Sequence, residues 1–103
     1  MANERMTAAE RTAQLVAVGY EIARTKGIRK VTRAEVARRT AVSDGLLNRY
    51  FGGREGLRGA VLEHAVEQKD AKTLAAAMVH YDMPDMPGKL RREVTSLWRE
   101  LSH

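Results

Sequence analysis

Positions suited to burial recur in steps of four and three near the start of the chain: Ala8, Thr12, Leu15, Gly19 and Ile22, with Val18 beside them. That period lays one face along a helix from about Thr7 to Lys26. Gly19 costs such a helix about 1 kcal/mol against alanine, which predicts a second helix crossing closely there. Gly27 is the expected stop. The next helix opens at Thr32-Arg33-Ala34-Glu35, which reads as a capping box: the Thr32 hydroxyl accepts from the Glu35 amide and the Glu35 carboxylate reaches back. It is short, because Thr40-Ala41-Val42-Ser43-Asp44 brings a new cap soon after Arg39. Ser43 caps a third helix, Asp44 to about Tyr50, whose positive end Asp44 complements. Leu47 and Phe51 stand four residues apart on its inner side, and Gly52-Gly53 ends it. Two short helices joined by a tight turn behind a longer one make a helix-turn-helix.

From Arg54 the helical period returns through Leu57, Val61 and Ala65, with Leu62 and Val66 nearby. It runs on through an alanine stretch to about Val79, with room for a break around Gln68-Lys69-Asp70. His80 to Gly88 reads as a loop, and the tandem Asp-Met-Pro within it as two successive turns. A last amphipathic helix places Leu90, Val94, Leu97, Trp98 and Leu101 on one stripe, with Arg91, Arg92, Glu93 and Arg99 opposite. The fold class is therefore all-α. Residues 1–53 form the helix-turn-helix domain, and 54–103 a short helical extension that completes the core and dimerises.

Composition sharpens one point. Leu, Ile, Val and Phe together supply only 21 of 103 residues, close to the level at which a chain struggles to bury a core. Fifteen alanines favour helix but bury little area. The chain is thus expected to gain core by association, through a surface made of Leu74, Met78, Leu90, Val94, Leu97, Trp98 and Leu101. The absence of cysteine excludes disulfide scaffolds and thiol chemistry. No apolar run approaches ~20 residues, so no membrane contact is expected, and a cytoplasmic setting in a bacterial cell follows as the expectation. Met1 and a helical finish suit a complete chain.

Charge is uneven. Residues 1–60 carry 12 basic and 6 acidic side chains, whereas residues 61–103 carry 6 and 7. A basic field focused in one half suits a polyanion, either nucleic acid or an acidic membrane surface, although a solvated basic face with no partner has the same signature.

The ordered set Gly27, Val31-Thr32, Val36-Ala37, Val42-Ser43, Gly45, Leu47, Phe51 and Arg54-Glu55-Gly56-Leu57 resembles the tetracycline-repressor (TetR) family of bacterial transcription regulators. The likeness spans Leu15 to Leu57. Ala41 stands where that family usually has glycine, Asn48 where it has tyrosine, and Arg54 where it has lysine. Only 43 residues follow Ala60, where the family adds a long ligand-binding and dimerisation domain. The resemblance therefore implies DNA binding without an expected small-molecule effector, and its economy suits a phage or plasmid regulator.

In such a motif the third helix enters the major groove, its N-terminal part nearest the bases. Asn48 is the favoured base reader, because its amide matches adenine N6 and N7. Arg33 reaches a guanine or a phosphate, and Asp44 either accepts from cytosine or serves its own helix. Gly45 allows close approach of the backbone. Thr32, Ser43, Arg49, Tyr50 and Arg54 are the phosphate contacts, which position rather than specify. Arg38 and Arg39 suit both DNA and the end of their own helix.

Enzyme chemistry finds little support. His64, His80 and His103 show no metal-binding spacing, and the loop set His80, Asp82 and Asp85 reads as plain loop. There is no phosphate-binding glycine loop. No cofactor and no metal are expected. The leading expectation is a homodimeric repressor on a palindromic duplex operator. The alternative is an adaptor that turns its basic helix-turn-helix surface toward an acidic protein.

Overall fold

Thr7 opens the first helix with both halves of a capping box: its hydroxyl accepts from the Glu10 amide at 3.1 Å, and its own amide donates to the Glu10 carboxylate at 2.9 Å. The helix that follows, α1, runs Ala8–Lys26 and ends at Gly27. The structure is a computed structural model and describes residues 6–80 and 88–101, the side chains of residues 79, 80 and 101 excepted. The tandem Asp-Met-Pro segment therefore lies outside the described residues, and so do the side chains of His80 and Leu101.

A 3-10 turn, Ile28–Lys30, comes next. Three residues are too few to show a period, so the pattern of burial gave no sign of it. It drives Ile28 into the core, with Val31 just behind. The second helix, α2, spans Arg33–Thr40, and Thr32 caps it by accepting from the Glu35 amide. The return half of the expected box is not made. Glu35 turns instead to Arg38 at 2.5 Å and Arg39 at 2.8 Å, because charge-assisted bonds to two guanidinium groups outweigh one amide. Those two partners hold its carboxyl far below the ordinary range, at about 2. Arg38 and Arg39 are thereby committed locally.

Ala41 ends α2 in the left-handed region at φ 60°, ψ 21°. A residue with a Cβ spends roughly 1–2 kcal/mol to sit there, which gives physical meaning to the absence of glycine. Ser43 caps α3, Asp44–Phe51, through the Leu46 amide at 3.1 Å. Gly52 at φ 78° and Gly53 at φ 151° then turn the chain sharply into α4, Arg54–Glu67, a passage that favours glycine at both positions.

The long alanine-rich helix does break. Lys69 adopts φ 55°, and Asp70 starts α5, Ala71–His80, by accepting from the Thr73 amide and hydroxyl. The same carboxylate accepts from the Tyr20 hydroxyl at 2.5 Å, fifty residues away in sequence. Burial, then the neighbouring Asp70, pushes the Tyr20 hydroxyl up to about 12. His64 of α4 stands edge-on to the Tyr20 ring at 4.8 Å, so this junction ties α1, α4 and α5 together. The last helix, α6, covers Gly88–Leu101.

The expected all-α fold is the observed one, and no strand occurs among the described residues. α1 crosses α4 at Gly19, where an added Cβ would lie 2.7 Å from Val61 Cγ2. The close crossing expected of that glycine is there. A single hydrophobic cluster runs from Leu15 through Leu47, Val61 and Leu74 to Leu97, across the expected boundary at 53/54.

The cluster corrects the expected dimer surface. Leu74, Leu90, Val94 and Leu97 are 1%, 0%, 1% and 5% exposed within one chain. The stripe is where α5 and α6 close onto α4, so these side chains complete the protomer's own core. Of the described members of the set, Met78 is half-buried and only Trp98, at 36%, is open to solvent; the Leu101 side chain lies outside the described residues. The indole N–H of Trp98 donates to Met78 Sδ at 3.4 Å.

Candidate nucleic-acid interface

Two side-chain caps set the outward face of the helix-turn-helix. Thr32 and Ser43 each use their hydroxyl oxygen as acceptor for their own helix, which leaves the hydroxyl hydrogen available to an oxygen from outside. Leu47 is fully buried on the inner side of α3, and Val36 on that of α2. With those side chains fixed inward, Asp44, Gly45, Asn48 and Arg49 are forced outward, and all four are exposed. Tyr50 is half-buried and packs at the edge of the core, edge-on to Phe51.

The structure brings three of the four candidate base readers together. Arg33 Nη1 donates to Asn48 Oδ1 at 2.8 Å, and Arg33 Nε lies 3.4 Å from Asp44 Oδ1. Arg33 is thereby braced between the two helices, its guanidinium held by an amide and a carboxylate on α3. Pairs this exposed contribute little stability; their effect is to orient the fork. The Asn48 carbonyl keeps one lone pair and its amide both hydrogens, so it retains the acceptor–donor pair that adenine requires. Asp44 serves locally in this arrangement.

Gly45 does not join the cluster. A Cβ built on it meets nothing within 4 Å, so nothing inside the protein calls for glycine. An open cleft of about 740 Å³ lies beside these residues, lined by Thr32, Arg33, Asp44, Gly53 and Arg54 among others. The starts of α2 and α4 both border it, and free amide groups there favour an anion. Arg54 sits at the first position of α4, largely exposed, with Glu55 at 3.2 Å.

Sequence reasoning missed what two residues do to position this face: Arg58 it did not single out, and Gly56 it gave only as part of the TetR-like set. Arg58 of α4, 14% exposed, donates from Nε to the Val31 carbonyl and from Nη2 to the Arg29 carbonyl, both at 3.0 Å. Nothing in the periodicity marks it, since a half-buried arginine satisfied by backbone looks like any surface cation in a sequence. Gly56 is the second. A Cβ there would lie 1.8 Å from the Phe51 carbonyl oxygen, so this glycine sets how closely α3 approaches α4.

Residues 15–61 match the family model for bacterial regulatory proteins of the tetR family. Those limits contain most of α1, all of α2 and α3, and the half of α4 that carries Gly56 and Arg58. Among the chain's relatives, bacterial regulators extend the likeness beyond these residues. The HTH-type transcriptional regulator BetI of Paraburkholderia phymatum is 26% identical over 90% of this chain, and that of Paraburkholderia phytofirmans is 24% identical over the same share. The chain spans about half the length of these relatives, 55% of each. No solved structure matches it. Among the described residues no helix is long and apolar enough to cross a membrane, and no group of histidine, aspartate and glutamate could hold a metal ion.

Proposed function

We propose that this chain is a sequence-specific DNA-binding transcriptional regulator, a homodimeric repressor that lays α3 in the major groove of a palindromic operator. One observation carries the reading. The outward face of α3 has a glycine that the protein itself does not require, beside an arginine and an asparagine oriented toward each other. A smooth backbone flanked by planar, bidentate side chains is what reading base edges demands. Asn48 reads an adenine, Arg33 a neighbouring guanine, and Thr32, Ser43, Arg49, Tyr50 and Arg54 hold the phosphates. A single motif of this size binds weakly, and a twofold pair with half-sites about 34 Å apart multiplies its grip. Repression follows from occlusion of the promoter.

Selection of duplexes from a randomised pool at ~150 mM salt tests the reading, since electrostatic binding without readout fades there. A recovered palindrome supports it; a featureless pool hands the basic face to an acidic protein partner instead.

Two substitutions refine the test. Asn48→Ala relaxes preference at one base position by about 1–3 kcal/mol, read by competition among operator variants, and unchanged discrimination at every position removes Asn48 from base reading. Gly45→Ala raises thermal stability by up to about 1 kcal/mol, because the new methyl meets open space. It nevertheless weakens operator binding on the order of tenfold, or 1.4 kcal/mol. A variant that gains stability and keeps full affinity shows that no backbone approaches DNA at this point.

A further inference from the structure

We infer that Lys26, Arg29 and Lys30 form a second contact for duplex DNA, gripping the phosphates that flank the base pairs under α3; the inference rests on the DNA-binding reading above. The turn that carries them is held rigidly. Ile28 is 2% exposed and Val31 fully buried, which pins the turn from inside. Arg58 fastens it from α4 through the carbonyls of Arg29 and Val31. With Ile28 and Val31 locked inward, Arg29 and Lys30 between them stand outward, and both are exposed together with Lys26.

Their charge is also uncompensated. Arg24 is paired with Glu21, Arg54 with Glu55, and Arg38 and Arg39 with Glu35. Lys26, Arg29 and Lys30 have no carboxylate within ion-pairing distance among the described residues. The one acid that shares their groove, an open space of about 470 Å³, is Glu35, already committed to its two arginines. The end of α1 accounts for a cation at Lys26 through the helix dipole, but Arg29 and Lys30 lie beyond that helix.

Position selects the partner. Thr32 lines the same groove, and Lys30 precedes it by two residues, at most about 7 Å of chain. A duplex seated on Thr32 and α3 continues past this turn with its phosphates unbroken. A membrane needs an apolar anchor beside the charges, and here the apolar side chains of the turn point inward.

The test compares the 103-residue chain with a Lys26→Ala/Arg29→Ala/Lys30→Ala variant. The probes are a selected duplex carrying flanks of about 10 base pairs, one helical turn, and the same core trimmed of them. Each cation that neutralises a phosphate contributes about 0.9 to the slope of log K against log salt. On the flanked duplex the variant is expected to lose 2–3 of slope and roughly tenfold or more in affinity. On the trimmed duplex the two proteins bind alike, and melting temperatures stay equal because all three side chains are exposed. Equal slopes on the flanked duplex overturn the inference while leaving base reading by α3 intact. An equal loss on both duplexes moves the three cations into the core site and also overturns it. If the unmodified chain prefers no sequence, the function proposed above falls, and the salt slopes of the two proteins on a mixed-sequence duplex then decide whether this turn holds phosphates, equal slopes overturning the inference.

Discussion

Gly56→Ala lowers the stability of the chain by about 3 kcal/mol or more, seen as an earlier urea midpoint. The added methyl would lie 1.8 Å from the Phe51 carbonyl oxygen and 2.9 Å from its carbon. Both are backbone atoms, so no side chain can swing aside. Relief requires α3 and α4 to move apart, and the corner between them is already fixed by Gly52 and Gly53 in conformations that leave little freedom. Gly59 provides the internal control. It lies three residues further along α4, and a methyl there meets nothing within 4 Å. Gly59→Ala therefore stabilises by up to about 1 kcal/mol through helix propensity. Two identical substitutions in one helix are expected to have opposite signs, and equal effects would show that α3 sits further from α4 than described.

Leu97→Ala costs about 2–4 kcal/mol, the range for emptying a buried leucine site. The side chain is 5% exposed in the single chain and belongs to the cluster that joins α6 to the rest. Because the lost packing is intramolecular, the loss is the same at every protein concentration, unlike that of an interface residue. Urea unfolding at two widely separated concentrations checks this. A deficit that shrinks as the protein is concentrated would return Leu97 to a surface between subunits. Trp98→Ala is the companion test, since Trp98 is the one described member of the former stripe with substantial exposure, and light scattering on it reads the oligomeric state.

Why the stripe misled is instructive. Periodicity reports which face of α6 is apolar, and Leu90, Val94 and Leu97 are on the face it gave. It does not report what covers that face. Scarcity of bulky residues argued for another subunit, but α4, α5 and α6 are small-sided enough to approach each other and share one core. The caps were more legible, because a cap is a local chemical event: Ser43 and Thr32 do what their neighbours predicted. Even so, the return half of the Thr32 box failed, since two arginines one turn later competed for Glu35. Asn48 and Arg33 were legible as individual residues, yet their mutual contact was not, because it joins two helices whose crossing is set by tertiary packing. Tyr20 with Asp70, and Arg58 with the carbonyls of Arg29 and Val31, belong to the same class. Long-range polar ties leave no periodic trace.

The crossing of α1 with α4 also constrains how the chain matures as it is made. Gly19 packs against Val61 and Leu57, and Leu15 and Ile22 belong to the same cluster, so the other half of this seam lies beyond the first three helices. A growing chain that has released only its first 53 residues thus exposes half of a hydrophobic seam with no partner. Domains fold as units during synthesis, and this unit closes only after α4, α5 and α6 have emerged. The helix-turn-helix is made first but sets last, so nascent chains held before α6 has emerged carry an unpartnered apolar face that chaperones must shield.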